Sequence, residues 1–222
     1  MQHLIRVWDG FVRSFHWLLL LLLIALWITG GDLEYIDLHK NLGLIVLALI
    51  ISRVMWGIIG SRTAKFSDFV RSPFAAMRYL RDEFKGRARE PLGHNPAGGY
   101  MILLLLGLVL AQAVSGLFTN DDLFFVGPLA NLVEYDTQRM LTRFHRNNFD
   151  WLLVAVVIHV IAIFVYMFKG KDLLTPMFSG NKKVNSRADA HGAPQAKPKI
   201  VHGGIGVAIF VGNLIWVFWW LG

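Results

Sequence analysis

The sequence predicts an all-α fold: an integral membrane four-helix bundle with a fifth transmembrane helix at the C-terminus. Two observations carry this expectation. The 222 residues are 55% hydrophobic, with a mean hydropathy of +0.49, too apolar for an ordinary soluble domain. Five apolar segments approach or reach the roughly 20 residues needed to cross a bilayer. A third observation bears on function. Of the 8 histidines, His16, His39, His145 and His159 sit inside or at the edge of these segments, where an ionisable ring is costly and reads as functional.

The segments run over about 14–31, built on the Leu run 18–23, then 39–60, 98–118, 148–168 and 203–221, the last ending in Trp216, Trp219 and Trp220. Several Trp residues fall near segment ends, as an aromatic belt requires. The first segment lacks a small-residue cleavage site and holds a histidine, so it reads as a retained span and not a signal peptide. In the third, the small residues Gly98, Gly99, Gly107, Ser115 and Gly116 predict close helix contact, with no ligand from this helix. Residues 66–85 are amphipathic, and Ser72 and Pro73 suit an N-cap and first helical position, which predicts a short interfacial helix over about 73–85. Residues 176–202, rich in Ser, Asn, Ala, Lys and Pro, read as a flexible cytoplasmic linker. The expected organisation is a bundle domain over 1–175, the linker, and a loosely tethered helix over 203–222.

The net charge is +7, yet no nucleic-acid-binding motif accompanies it and no nucleic acid is an expected partner. Topology accounts for the charge. Arg6 and Arg13 precede the first span, a basic stretch from Arg62 to Arg89 joins the second to the third, and another from Lys169 to Lys199 joins the fourth to the fifth. Only Lys40, Arg139, Arg143 and Arg146 fall in the connections on the other side. The positive-inside rule then places the N-terminus in the cytoplasm and the C-terminus outside. Cysteine is absent, which excludes disulfides, thiolate-held iron–sulfur clusters and covalent c-type haem attachment.

His145 and His159 are fourteen residues apart, four helical turns, so both rings project from nearly one face, about 21 Å apart along the axis. The alternation of spans puts His16 with His159 towards the cytoplasm and His39 with His145 near the outer surface. Bundle cores build cofactor sites from facing helices, and two opposed imidazoles suit the axial positions of a haem iron. A tetrahedral zinc site needs further ligands, and no acid or Cys is suitably placed near His16 or His159. The alternative is that each ring only hydrogen-bonds within the bundle. The same fourteen-residue offset leads from His16 to Gly30 and from His39 to Arg53. Gly30, with Gly31 beside it, leaves room for a porphyrin plane or ends a helix. Arg53 meets a haem propionate or snorkels to headgroups. Lys40, Arg143 and Arg146 flank the outer ligands as propionate contacts, partner contacts or interfacial anchors. His94, in the turn GHNPAGG, caps the third span or borders a cytoplasmic quinone pocket. His3, His191 and His202 read as solvated.

The strings VWDGFVRSFHW at 7–17, LHKNLGLIVLALIISRVMWGIIGSR at 38–62 and GHNPAGGYMILLLL at 93–106 resemble the bacterial cytochrome b561 family, which includes the b-type cytochrome subunit of nickel–iron hydrogenases. The resemblance covers about residues 5–175, four of the five spans. It implies a four-helix bundle in the bacterial inner membrane holding two non-covalent haem b groups, with His16, His39, His145 and His159 as axial ligands. It also implies electron passage between a quinone pool and a periplasmic partner, either a c-type cytochrome or an oxidoreductase or hydrogenase subunit. The fifth span departs from the shortest family members and leaves a homodimer open.

The first functional expectation is therefore a membrane-bound di-haem b-type cytochrome, an electron-transfer subunit more than a stand-alone enzyme, with the direction of flow open. The second is a quinone-linked oxidase of a small substrate such as superoxide, acting at an outer pocket lined by Lys40, Arg143 or Arg146. The third is a haem-free membrane anchor or assembly subunit.

Overall fold

The computed structural model describes residues 2–88, 91–185 and 198–222; Arg89, His191 and the linker residues 186–197 lie outside the described residues. Five helices are long and apolar enough to cross a membrane: α1 (Gly10–Thr29), α2 (Ile36–Ile59), α5 (Pro96–Gly116), α6 (Tyr135–Phe168) and α8 (Gly203–Leu221). Shorter helices α3 (Phe66–Phe69), α4 (Pro73–Phe84) and α7 (Leu174–Ser179) join them, and strands β1 (Gln2–Arg6) and β2 (Asn181–Asn185) pair antiparallel.

Local chemistry sets the helix starts. The Asp9 carboxylate accepts from Val12 N at 2.8 Å, so α1 begins at Gly10, earlier than hydropathy suggests. Ser72 Oγ accepts from Ala75 N at 3.3 Å ahead of Pro73, opening α4. At α5 the cap is Asn95, whose Oδ1 accepts from Gly98 N at 2.7 Å, with Pro96 first in the helix. His94 is not the cap: its ring packs tilted against Trp8 (4.4 Å) and edge-on against Phe69 (5.1 Å). His202 is exposed, as expected, and its Nδ1 accepts from Gly204 N at 3.1 Å at the start of α8.

Helix α6 has 34 residues, about 51 Å at 1.5 Å per residue, and starts thirteen residues before the expected fourth span. Asp136, Arg139, Arg143 and Arg146 interrupt the hydropathy but not the helix. The polar face of this extension holds the preceding loop: Gln138 Nε2 donates to Ala130 O at 2.9 Å, Asn120 Nδ2 donates to Gln138 Oε1 at 2.7 Å, and Thr142 Oγ1 accepts from Asn120 N at 3.0 Å.

Contacts divide the chain into two compact units. The first comprises Met1–Ser14, Val54–Ile102 and Ile161–Val207. In it, β1 runs against β2 with Gln2 opposite Asn185 and Arg6 opposite Asn181. Val7 N and Trp8 N both donate to Gly180 O, at 2.7 and 3.1 Å, and Gly180 takes a positive φ of 82° that ends α7. The expected linker is thus helix and strand as far as Asn185, because backbone donors of the N-terminal segment pair with it. Farther on, Arg62 N donates to Lys199 O at 3.0 Å and Val201 N to Ser61 Oγ at 2.9 Å. Asp9, 1% exposed, also accepts from Trp56 Nε1 at 3.0 Å. Glu83 of α4 binds Lys171 at 2.6 Å and Lys169 at 3.5 Å, both just beyond α6.

The second unit comprises Phe15–Arg53, Leu103–Val160 and Ala208–Gly222. Its centre is α2: 56% of the apolar stretch of that helix is buried, against 22% or less for the other spans. Leu22, Val46, Leu49, Ile50, Val109 and Leu152 form one apolar cluster, and Leu44, Leu47, Ala48, Leu117 and Val217 another. Phe210 of α8 packs against both, Val217 is fully buried, and Asn213 Nδ2 donates to Ser52 Oγ at 2.9 Å. The fifth helix is therefore packed onto the bundle and not loosely tethered, since the buried Val217 and a half-buried amide with its hydroxyl partner hold it there. Outward-facing Leu21, Ile28, Val154, Ile158, Ile215 and Trp219 are exposed, an apolar surface suited to lipid.

Candidate functional site

Four helices of the second unit bring His39 and His145 together, with ring centroids 6.3 Å apart and ring planes at 79°. His39 lies in the first turns of α2, opposite the end of α1, and His145 in the N-terminal third of α6, opposite the end of α5. Thr29 Oγ1 donates to Ala25 O at 2.9 Å and stands 3.2 Å from His39 Nδ1. With its proton committed to a carbonyl, the hydroxyl accepts, so Nδ1 of His39 carries the hydrogen. His145 Nδ1 lies 2.9 Å from Gln112 O. A carbonyl only accepts, so His145 carries its hydrogen on Nδ1 as well. Both tautomers are assigned from their partners, and both leave Nε2 with the lone pair that binds a metal.

One glycine makes space for these rings: a Cβ on Gly116 would stand only 3.0 Å from His145 Cε1, whereas one on Gly30 would meet His39 Cε1 at an ordinary 3.5 Å. Gly30 immediately follows the last residue of α1, and Gly31 beside it takes the positive φ of 89°, so together they end the helix. Next to the pair is a cavity of about 620 Å³, within the range of about 300–1,000 Å³ typical of ligand clefts. Its walls include His39, His145, Gly43, Lys40, Arg146 and Phe149. Arg143 is exposed and is not among the lining residues. Asp32 and Asp121 also border it. Asp121 accepts from the backbone N–H groups of Leu123, Phe124 and Phe125 at 2.8–3.0 Å, and these donors, Phe125 first, hold its carboxyl below the ordinary value.

His16 and His159 form the other pair, near enough for their charges to interact. His16 meets Trp17 edge-on at 5.0 Å, and the described residues give its buried Nδ1 no hydrogen-bond partner. An orphaned buried polar atom costs about 1–3 kcal/mol. Arg53 is 3% exposed, so it does not snorkel; its guanidinium carbon stands 5.9 Å over the Phe15 ring.

The partners of the two Nδ1 atoms are not visible as a motif. Gln112 and Ser115 are polar residues in the otherwise apolar run of α5, which is the one signal they carry, while Asn148 lies among Arg146, Asn147 and Asp150 and stands out by nothing. Ser115 Oγ donates to Gln112 O at 3.1 Å and lies 3.2 Å from His145 Nδ1, so α5 orients a ligand-type side chain without offering one.

The donor set fits haem. Among the described residues no three of His, Cys, Asp and Glu cluster as a bare metal ion would need, while the His39 and His145 rings stand 6.3 Å apart with their planes at 79°, a two-imidazole set of the kind that would hold a haem iron. A family model described as prokaryotic cytochrome b561 matches residues 7–180. The chain belongs to the prokaryotic cytochrome b561 family. None of the curated proteins searched matches it. Cytochromes b561 are all-helical membrane bundles that bind b-type haem and work in electron transfer, and the five apolar helices make this member a multi-pass membrane protein.

Proposed function

We propose that the chain is a di-haem electron carrier in which His39 and His145 ligate one haem b at the outer face, and His16 and His159 a second one towards the cytoplasm. The facing His39–His145 pair carries this reading, since each Nδ1 is engaged and each Nε2 is left for a metal. Bound haem supplies the one-electron chemistry; the protein supplies ligation, charge partners and an apolar shell. Lys40 and Arg146, on the cavity wall, would be the charge partners for its carboxylates. Gly30 keeps the His39 ring free of a neighbouring side chain, and buried Arg53 places a cation on the helix of His39, fourteen residues further on. The bundle domain spans 1–175, with α8 added to it and 176–202 connecting the two. The basic connections support a cytoplasmic N-terminus and a periplasmic C-terminus in a bacterial inner membrane. The quinone pool and a periplasmic c-type cytochrome or oxidoreductase subunit are then the natural redox partners.

Pyridine haemochrome analysis of the protein purified in mild detergent is expected to give two haem b per chain. His39→Ala and His159→Ala should each remove about half of the reduced absorption while leaving the other half. Protein that folds without haem, or holds one per chain, defeats the reading. A second function, oxidation of superoxide with quinone as acceptor, is favoured by the cations on the cavity wall; steady turnover without a protein partner would select it.

A further inference from the structure

We infer that Asn148 and Gln112 form a positioning pair that sets the electronic character of His145 and, through it, the reduction potential of the outer haem. This rests on the reading of His145 as a haem ligand. Asn148 follows His145 by one turn of α6 and is 4% exposed. Its Nδ2 donates to Gln112 Oε1 at 2.7 Å and to Leu108 O at 3.0 Å, so one amide grips two successive turns of α5. Gln112 supplies the other half of the arrangement: its backbone carbonyl takes the His145 Nδ1 hydrogen at 2.9 Å. A slip of α5 by one residue, about 1.5 Å along its axis, would break all three bonds together. The side-chain bonds thus hold the register that the ligand bond requires.

That ligand bond has a chemical consequence. An Nδ1–H held firmly by a carbonyl makes Nε2 a stronger donor, and a more basic axial ligand favours ferric over ferrous iron. His16 has no such partner among the described residues, so the two haem sites differ in this respect within one chain.

The experiment uses the full chain with haem bound. Asn148→Leu and Gln112→Met each delete the side-chain bond and leave the Gln112 carbonyl in place. Redox titration should show the outer haem, identified as the one lost in His145→Ala, moved to a higher midpoint. A tenfold change in ferric preference corresponds to about 59 mV for a one-electron couple. The same haem should pass to an excess of apo-myoglobin roughly tenfold faster, and its low-spin EPR signal should broaden. The inner haem should keep its midpoint. Unmoved outer midpoints in both variants, or equal shifts of both haems, overturn the inference. Should Asn148→Leu fail to retain the inner haem, Gln112→Met decides. A wild-type protein with no haem at His145 would instead sink the functional reading itself, before any variant is made.

Discussion

Gly116 gives His145 the volume its ring occupies. Gly116→Val would place a Cβ 3.0 Å from Cε1, closer than most real contacts, and add two methyl groups behind it. The ring is then expected to shift and weaken its bond to Gln112 O. On the proposed di-haem reading the expected result is loss of roughly half of the b-type absorption; a spectrum identical to wild type would show that the ring does not need this space. At this scale the sequence is informative about ligands and silent about their orienters. Four histidines in apolar runs stand out because burying an ionisable ring is costly. The acceptor for His145 is a backbone carbonyl, which every residue carries, so nothing in the identity of Gln112 announces it. Gly116 and Ser115 read as small residues for helix contact, and their nearness to His145 emerges only once α5 and α6 are set side by side.

Between the spans, α4 has two faces. Phe74, Met77 and Phe84 are exposed and suit the acyl boundary of a bilayer. Glu83 is buried and bound to Lys171 and Lys169. Burial raises its carboxyl, but the hydrogen bond and charge of Lys171, with the charge of Lys169, outweigh that and hold it below the ordinary value. A group lowered in the folded state stabilises above its unfolded value and loses that contribution as the pH falls through the folded one. Glu83→Gln should therefore cost about 1–2 kcal/mol at neutral pH and approach wild type in acid. Thermal unfolding in detergent, followed across pH, measures the gap; a gap independent of pH would mean the ion pairs contribute nothing. Hydropathy made the five spans legible because a bilayer imposes length and composition together. It could not reveal the first turns of α6, where arginines interrupt the apolar run, or β2, whose partner strand lies at the opposite end of the chain.

Across the whole molecule, the family match ends at residue 180, before α8 begins, yet α8 contributes Val217 and Asn213 to the interior around α2. Ending the chain after residue 202 should leave Ser52 without its amide partner and uncover the apolar cluster around Leu44 and Leu47. The truncated protein is expected to melt at a lower temperature in detergent and to lose haem faster. Unchanged melting and haem retention would make α8 a mere appendage. The same whole-chain view gives the β1–β2 pair a meaning in time. Residues 2–6 are made well before their partners at 181–185, with α1, α2, α5 and α6 synthesised in between. The strand must wait, unpaired, through the insertion of four spans. Its pairing is a closing event in biogenesis, so a chain stalled or cut before residue 181 leaves this strand without the partner that covers its edge.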